Sequence, residues 1–322
     1  MLFLSGEDIV RTVSEKELLD RVEETLRSYE TRAFVMPLRA SLEYGPNTLL
    51  LMPCFTESCF GTKLVSLVPG NPEKGLPMIN SLMMVNNTET GEPLAVMNGS
   101  VLTALRTGAV GGVGVRHLSP PEPHGLGIIG AGVQGFQQAR FAAAEGKIDR
   151  ITVFSRRQDN LSDFVQRLSK ALPDLAIEPT DRIEKLLEES QTVIAATTSN
   201  DPVLPDDPSQ LEGKHFVGIG SYKPTMREFP RALFKLVDRV FVDTEHALEE
   251  SGDLVTPLKE GWIVRDQVQT LGSLLESGER LDPMQRKTTL FKSVGMALLD
   301  VRVGALVIER AKERGIGKHL EL

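Results

Sequence analysis

The chain has 322 residues, 41% of them hydrophobic and 25% charged, which is globular composition with room for two domains at roughly 100–200 residues each. The 28 glycines and 19 prolines follow no period, and 44 acidic against 36 basic residues leave a net charge of −8, so neither a fibrous chain nor a nucleic-acid or anionic-membrane partner is expected. Two cysteines, Cys54 and Cys59, are too few for a disulfide framework and fit a reducing cytoplasm.

The N-terminal apolar stretch is broken at once by Glu7 and Asp8, so no signal peptide is expected, and no apolar run reaches the roughly 20 residues that cross a bilayer. Ser5 with Asp8 and Ser14 with Glu17 stand at capping-box spacing, and each opens a helix. After the second cap, Leu18, Leu19, Val22 and Leu26 form one apolar stripe. Short apolar runs at 48–55, 60–68, 81–86 and 93–98 follow, bounded by Pro, Gly and Asn, and read as strands with a hairpin turn at 88–91. A helix is expected from about 100 to 118, and the three prolines within 119–125 place a domain boundary after it.

From residue 126 the texture alternates. The β-branched segments 126–131, 151–155, 192–198, 215–221 and 239–243 are separated mostly by amphipathic stretches. Strands buried on both faces read this way, and they imply a Rossmann-type, doubly wound parallel α/β sheet over 119–292. Residues 291–315 read as one long apolar-periodic helix, so the segment 293–322 is expected to pack back on residues 1–118. The N-terminal α/β domain would then be built from both chain ends.

The sharpest local signal is Gly130-Ala131-Gly132-Val133-Gln134-Gly135, a G-x-G-x-x-G run between an expected strand and helix. In that context the first glycine makes the turn, the second admits a pyrophosphate and the third packs helix on strand, while the helix N-terminus supplies amide donors. The next strand ends in Ser155, Arg156 and Arg157, with no carboxylate before Asp159 to accept a ribose 2′-hydroxyl. A hydroxyl and two guanidiniums suit a 2′-phosphate, favouring NADP(H) over NAD(H). In the N-terminal half, Arg39, Lys63 and Arg106 are cations in apolar or small-residue settings. Each needs an anion, either an internal partner such as Glu43, Glu57 or Glu228, or a substrate carboxylate. The five histidines show no ligand spacing, so no metal is expected; Cys54, Cys59 and Trp262 read as packing residues.

These residues resemble the ornithine cyclodeaminase/mu-crystallin family nearly end to end. The shared runs are MPLR ending at Arg39, G-T-K at 61–63, PGNP at 69–72 and TGEP at 90–93. They continue with L-T-x-x-R-T-G-A-V at 102–110, GIIGAGVQG at 127–135, AATTS at 195–199 and GIGS at 218–221. The motif around 243–254 and TLFKSVGMALLD at 289–300 close the series. The resemblance implies a homodimer whose subunits join a Rossmann domain to a second α/β domain that carries the dimer interface and one wall of the active-site cleft. It implies that Arg39, Lys63 and Arg106 hold the carboxylate and reacting group of a small amino or imino acid. It further implies that Thr107, the glycine-rich turn, the strand end at Ser155, Arg156 and Arg157, Thr197, Gly220, Ser221 and Ser293 contact the dinucleotide.

One departure is informative. Cyclodeaminases of the family carry an aspartate two residues after the second glycine of the G-x-G turn, where this chain has Tyr222. A phenol, with an ordinary pKa of about 10, is no anion at neutral pH. The similarity is therefore to the imine-reducing branch, and the expected activity is NADPH-dependent reduction of a five- or six-membered cyclic 2-carboxy imine. An NAD-linked cyclodeaminase or alanine dehydrogenase is the alternative, and a non-catalytic NADPH-dependent ligand binder a further one. Glu228 and Glu245 are candidates for stabilising an iminium charge.

Overall fold

The structure, a computed structural model, describes residues 1–122, 124–279 and 287–321. Residue 123 of the expected breaker, residues 280–286 of the expected Rossmann domain and residue 322 lie outside the described residues. The chain forms two compact units: residues 1–106 with 296–322, and residues 107–295. The division falls inside the helix Gly99–Leu118 rather than after it at 118/119, so one continuous helix begins in the first unit and ends in the second. Among the described residues, no helix is long and apolar enough to cross a membrane.

In the first unit, β1 (Leu2–Leu4) precedes two helices, Gly6–Thr12 and Glu15–Tyr29, and both expected capping boxes are formed. Ser5 N–H donates to Asp8 Oδ2 at 2.9 Å and Asp8 N–H returns to Ser5 Oγ at 3.2 Å. The stripe of Leu18, Leu19, Val22 and Leu26 is buried, each side chain contributing about 1.5–3 kcal/mol by leaving water. The strands β2 (Phe34–Val35), β3 (Ala40–Tyr44), β4 (Asn47–Thr56), β5 (Cys59–Leu67), β6 (Ile79–Asn87) and β7 (Pro93–Asn98) follow. They run in the order β1-β7-β6-β5-β4-β2, with β3 also on β4, and only the β1–β7 pair is parallel. The expected hairpin turn is closed by Gly91 N–H to Asn87 O at 3.0 Å, with Gly91 at φ 76°.

The pleat decides which side chains matter. On β6, Met83 and Val85 face the core while Leu82 and Met84 face outward. On β5 the buried set is Cys59, Gly61 and Lys63, so Lys63 points into the core, flanked across the ladder by Met52 and Met83.

The second unit holds β8 (His124–Ile129), β9 (Ile148–Phe154), β10 (Ala176–Thr180), β11 (Thr192–Ala195), β12 (His215–Gly218), β13 (Val240–Val242), β14 (Val268–Thr270) and β15 (Thr289–Lys292). All pairs are parallel, in the order β10-β9-β8-β11-β12-β15-β13-β14. This is the doubly wound sheet expected, with its reversal of strand order between β8 and β11. Here one expectation fails: residues 289–292 belong to the interior strand β15, and the final helix begins only at Ala297. Leu290 and Phe291 look helical by apolarity alone, but they are buried on a strand between β12 and β13. Helix Ala297–Arg314 packs on β4, β5 and β6 of the first unit, and β16 (Lys318–His319) pairs antiparallel with β1.

At the start of β12, His215 is buried, with Nδ1 2.8 Å from Thr289 Oγ1 and no partner for Nε2. Burial, reinforced by the nearby His124 and Lys147, pushes its pKa down to about 3. The unfolded chain, with histidine near 6.5, takes up a proton that the folded chain excludes. The neutral ring's stabilisation is therefore complete above about pH 6.5 and lost as pH falls toward about 3. Thermal melts should show Tm falling from pH 7 to pH 4, with a shallower slope in His215→Gln.

Candidate active site

The glycine-rich turn follows β8 at the point where strand order reverses. Gly130 has φ 112°, and a Cβ on it would lie 2.6 Å from Ala196 O, so no other residue fits. A Cβ on Gly135 would lie 2.0 Å from Gly130 O, which is the close helix–strand approach expected. At Gly132 a Cβ would meet nothing within 4 Å, so the backbone there borders open space. Gly132 caps the helix Val133–Ala143 with no side-chain hydrogen bond, leaving the first-turn amides, Val133 and Gln134 among them, for an anion.

That space is a cleft of about 540 Å³ lined by Gly130, Ala131, Gly132, Ser155, Arg156, Arg157 and Thr197, with Ile183, Pro202 and Val203 among its apolar residues. Arg156 and Arg157 are exposed, and no carboxylate sits at the end of β9. A dinucleotide fits this donor set. The turn and helix amides suit the pyrophosphate, the apolar residues suit an adenine, and the Ser155 hydroxyl with two guanidiniums suits a phosphorylated ribose.

Thr107, Gly220, Ser221 and Ser293 are not among the residues that line this cleft. Ser221 is fully buried; its hydroxyl donates to Met226 O at 2.6 Å and lies 2.7 Å from Ser251 Oγ. The amides of Gly220 and Ser221 both donate to Glu228 Oε2, at 2.8 and 3.1 Å. Ser293 is buried and donates to Asp243 Oδ2 at 2.6 Å. Thr107 is buried, its carbonyl accepting from Gln138 Nε2 at 2.8 Å. Each of these groups is held by a partner within the protein. Glu245 is half-exposed and pairs with Arg265 at 3.1 Å, while Glu228 is wholly buried among backbone donors. Trp262 packs on Phe234 at 6.0 Å, and Cys54 and Cys59 are buried free thiols on adjacent strands.

The first unit holds the cations. Lys63 Nζ lies 2.8 Å from Asp300 Oδ2, and Arg106 Nε lies 2.9 Å from Asp300 Oδ1. All three are buried. For Lys63 and Arg106 the internal anion is thus Asp300, on the final helix, and not Glu43, Glu57 or Glu228. Sequence reasoning missed it, although one signal was there: an acid on the apolar stripe of a helix, closing the run at 289–300. One carboxylate thus serves two buried cations, and half-buried Arg39 lies close enough to act on Lys63.

Burial is the main influence on Lys63, lowering its pKa to about 8; Asp300 resists, while Arg106 and Arg39 push the same way as burial. For Asp300, burial opposes ionisation, but Arg106 and Lys63 outweigh it and hold the carboxyl below its usual range.

A parallel sheet with a glycine-rich turn at its reversal point, and a separate buried cationic centre, define an oxidoreductase of the nicotinamide-dinucleotide class. The chain belongs to the ornithine cyclodeaminase/mu-crystallin family, whose model matches residues 1–315. It is 32% identical over 329 aligned positions to the Delta(1)-pyrroline-2-carboxylate reductase of Bacillus cereus, with all of both chains covered. Among solved structures it is similar to the Delta(1)-pyrroline-2-carboxylate reductase of Thermococcus litoralis in complex with NADH and L-proline. The TM-score is 0.91 and the identity 32%, with 99% of this chain and 100% of that one covered. An archaeal alanine dehydrogenase dimer with bound NAD gives a TM-score of 0.90 at 28% identity, covering 100% of this chain and 99% of that chain.

Proposed function

We propose that this chain is a reductase of small cyclic 2-imino acids of the 1-pyrroline-2-carboxylate or ketimine type, with NADPH as its preferred hydride donor. The observation that carries the reading is the buried Lys63–Asp300–Arg106 centre, which joins an anion seat to a lysine able to give up a proton near neutral pH. Arg106 and Arg39 hold the substrate carboxylate, fixing the C=N bond so that reaction is effectively unimolecular. Lys63, as the ammonium, donates its proton to the imine nitrogen. A nicotinamide dinucleotide, when bound, supplies the hydride that reduces the imine carbon. The C=N bond becomes CH–NH, and Lys63, left neutral, regains a proton from solvent. Asp300 keeps Lys63 charged enough to act as an acid and orients Arg106 through Nε.

The Thermococcus relative was solved with NADH. The preference for NADPH proposed here rests on this chain's own Ser155, Arg156 and Arg157. A homodimer is part of the same reading: Leu49, Phe55, Leu64, Leu82 and Met84 are exposed apolar residues on one face of the first unit's sheet, which a second copy would cover. Buried free thiols agree with a reducing cytoplasm.

The test is NADPH oxidation across five- and six-membered cyclic 2-imino acids, pyruvate with ammonia, and ornithine with NAD. Turnover is expected with the cyclic imines and none with ornithine. Cyclodeamination must handle a distal ammonium, and Tyr222 puts a phenol where a carboxylate would hold that charge. Efficient release of ammonia from ornithine would replace this reading with the cyclodeaminase one.

A further inference from the structure

We propose that Glu228 is a positioning residue for the dinucleotide, binding the loops after β11 and β12 to one carboxylate and so fixing Thr197 in the cleft. The proposal rests on the reading of that cleft as the dinucleotide site. Glu228 is completely buried. Its Oε1 accepts from Thr197 N–H at 2.7 Å and from the Thr197 hydroxyl at 2.9 Å. Its Oε2 accepts from the amides of Gly220 and Ser221. Four donors from two adjacent parallel strands therefore converge on one side chain, at the C-terminal edge where ligands of such sheets bind.

The surroundings leave little freedom. A Cβ on Gly220 would lie 1.9 Å from Thr197 O and 2.6 Å from Glu228 Oε1, so the loops touch and only glycine fits between them. Glu228 is held in turn, because its own N–H and that of Phe229 donate to Asp253 Oδ1 at 2.7 and 3.0 Å. Lys292, also buried, lies 3.5 Å from Asp253 Oδ2 and 4.0 Å from Glu228 Oε2, a cation between two carboxylates.

This arrangement sets the polarity that Thr197 shows a ligand. With its hydroxyl hydrogen committed to Glu228 and Ser199 N–H directed to the same oxygen at 3.3 Å, Thr197 can only accept a hydrogen bond from a ligand. It suits a ribose hydroxyl or an amide N–H better than a phosphate oxygen. Glutamine in place of Glu228 must turn its NH2 toward at least one backbone N–H, donor against donor. Turned to the Thr197 side, it also reverses the Thr197 hydroxyl.

Burial pushes the Glu228 carboxyl up, with Asp253 adding to the effect and Lys292 and the Thr197 donors opposing it. Acid should thus protonate Glu228 and disturb the same contact. The groups facing it are Asp253, Lys292, the Thr197 hydroxyl and amide, and the amides of Gly220 and Ser221.

The experiment titrates the full-length protein with NADH and with NADPH, following nicotinamide fluorescence, so that binding is read without any imine substrate. Glu228→Gln should raise Kd for both dinucleotides by the same factor, up to about tenfold, the worth of one hydrogen bond between the ligand and a displaced Thr197. The acid weakening of Kd expected of the wild type should be absent in the variant. Thr197→Val keeps the backbone bond and loses the hydroxyl, so it should weaken both dinucleotides in the same way, with Thr197→Ser restoring them. Wild-type Kd values in a folded Glu228→Gln would overturn the proposal; if that variant does not fold, unchanged Kd values in Thr197→Val would do so. A wild-type protein that bound neither dinucleotide would overturn the underlying cleft reading, a failure visible before any variant is made.

Discussion

Lys63→Ala is expected to lower kcat by about 10²–10⁴-fold, the range set by loss of a positioned general acid, and to leave dinucleotide affinity unchanged. The two readouts separate because Lys63 lies on β5 of the first unit, whereas the glycine-rich turn and its cleft belong to the second. A folded Lys63→Ala protein with wild-type kcat would make Lys63 a structural partner of Asp300 and nothing more. The pH dependence supplies a second check. The imine must receive a proton from the charged form of Lys63, so kcat/KM, which reports the free enzyme, should fall as pH rises through about 8. Asp300 is the one group among the named influences on Lys63 that favours its charged form; Arg106, Arg39 and burial oppose it. Asp300→Asn should therefore shift that limb to lower pH, and Asp300→Glu should partly restore it. An unshifted limb in Asp300→Asn would remove Lys63 as the proton donor.

Replacing Arg156 and Arg157 together with alanine should weaken NADPH by far more than tenfold and leave NADH nearly unaffected. A hydrogen bond to a charged group contributes about 1.5–3 kcal/mol, less where solvent screens it, and the pair supplies at least two to a 2′-phosphate. NADH lacks that phosphate and should lose only the minor contacts of the guanidinium planes with the adenosine. Ser155 stays in place to serve either ribose. Parallel titrations with the two dinucleotides decide the matter: equal losses would mean that the arginines serve the fold, and no loss would place the preference elsewhere in the cleft.

Much of this protein was legible in the order of its residues, wherever the determining interaction is local. Ser5 with Asp8 and Ser14 with Glu17 are three residues apart, and the hydrogen bonds they make are the ones their spacing implies. The strand-glycine-helix run at 127–135 needs only its own backbone to form the phosphate turn, and Gly130, Gly132 and Gly135 behave as their positions require. The doubly wound sheet followed from β-branched segments too apolar to face water on either side. Three of its members escaped: β10, with only two β-branched residues among its five, the three-residue β14, and β15, whose last two residues pass for the start of a helix. On β3 all five residues are exposed, so no alternation betrays the strand.

What only the tertiary structure decided is how charges meet across long separations. Three cations in apolar settings announced that an anion was needed, but the anion lies 194 residues beyond Arg106, on a helix from the other end of the chain. Glu228 gives no local sign of being a buried acceptor for Thr197, Gly220 and Ser221, since its four donors arrive from loops after two different strands. Nor could the chain order reveal that the hydroxyls of Ser221 and Ser293 donate to Met226 O and Asp243 Oδ2. Periodicity and caps depend on neighbours three or four residues away, which the sequence displays. The pairing of buried charges depends on which distant segments the folded chain brings within about 3 Å, a distance fixed only by packing.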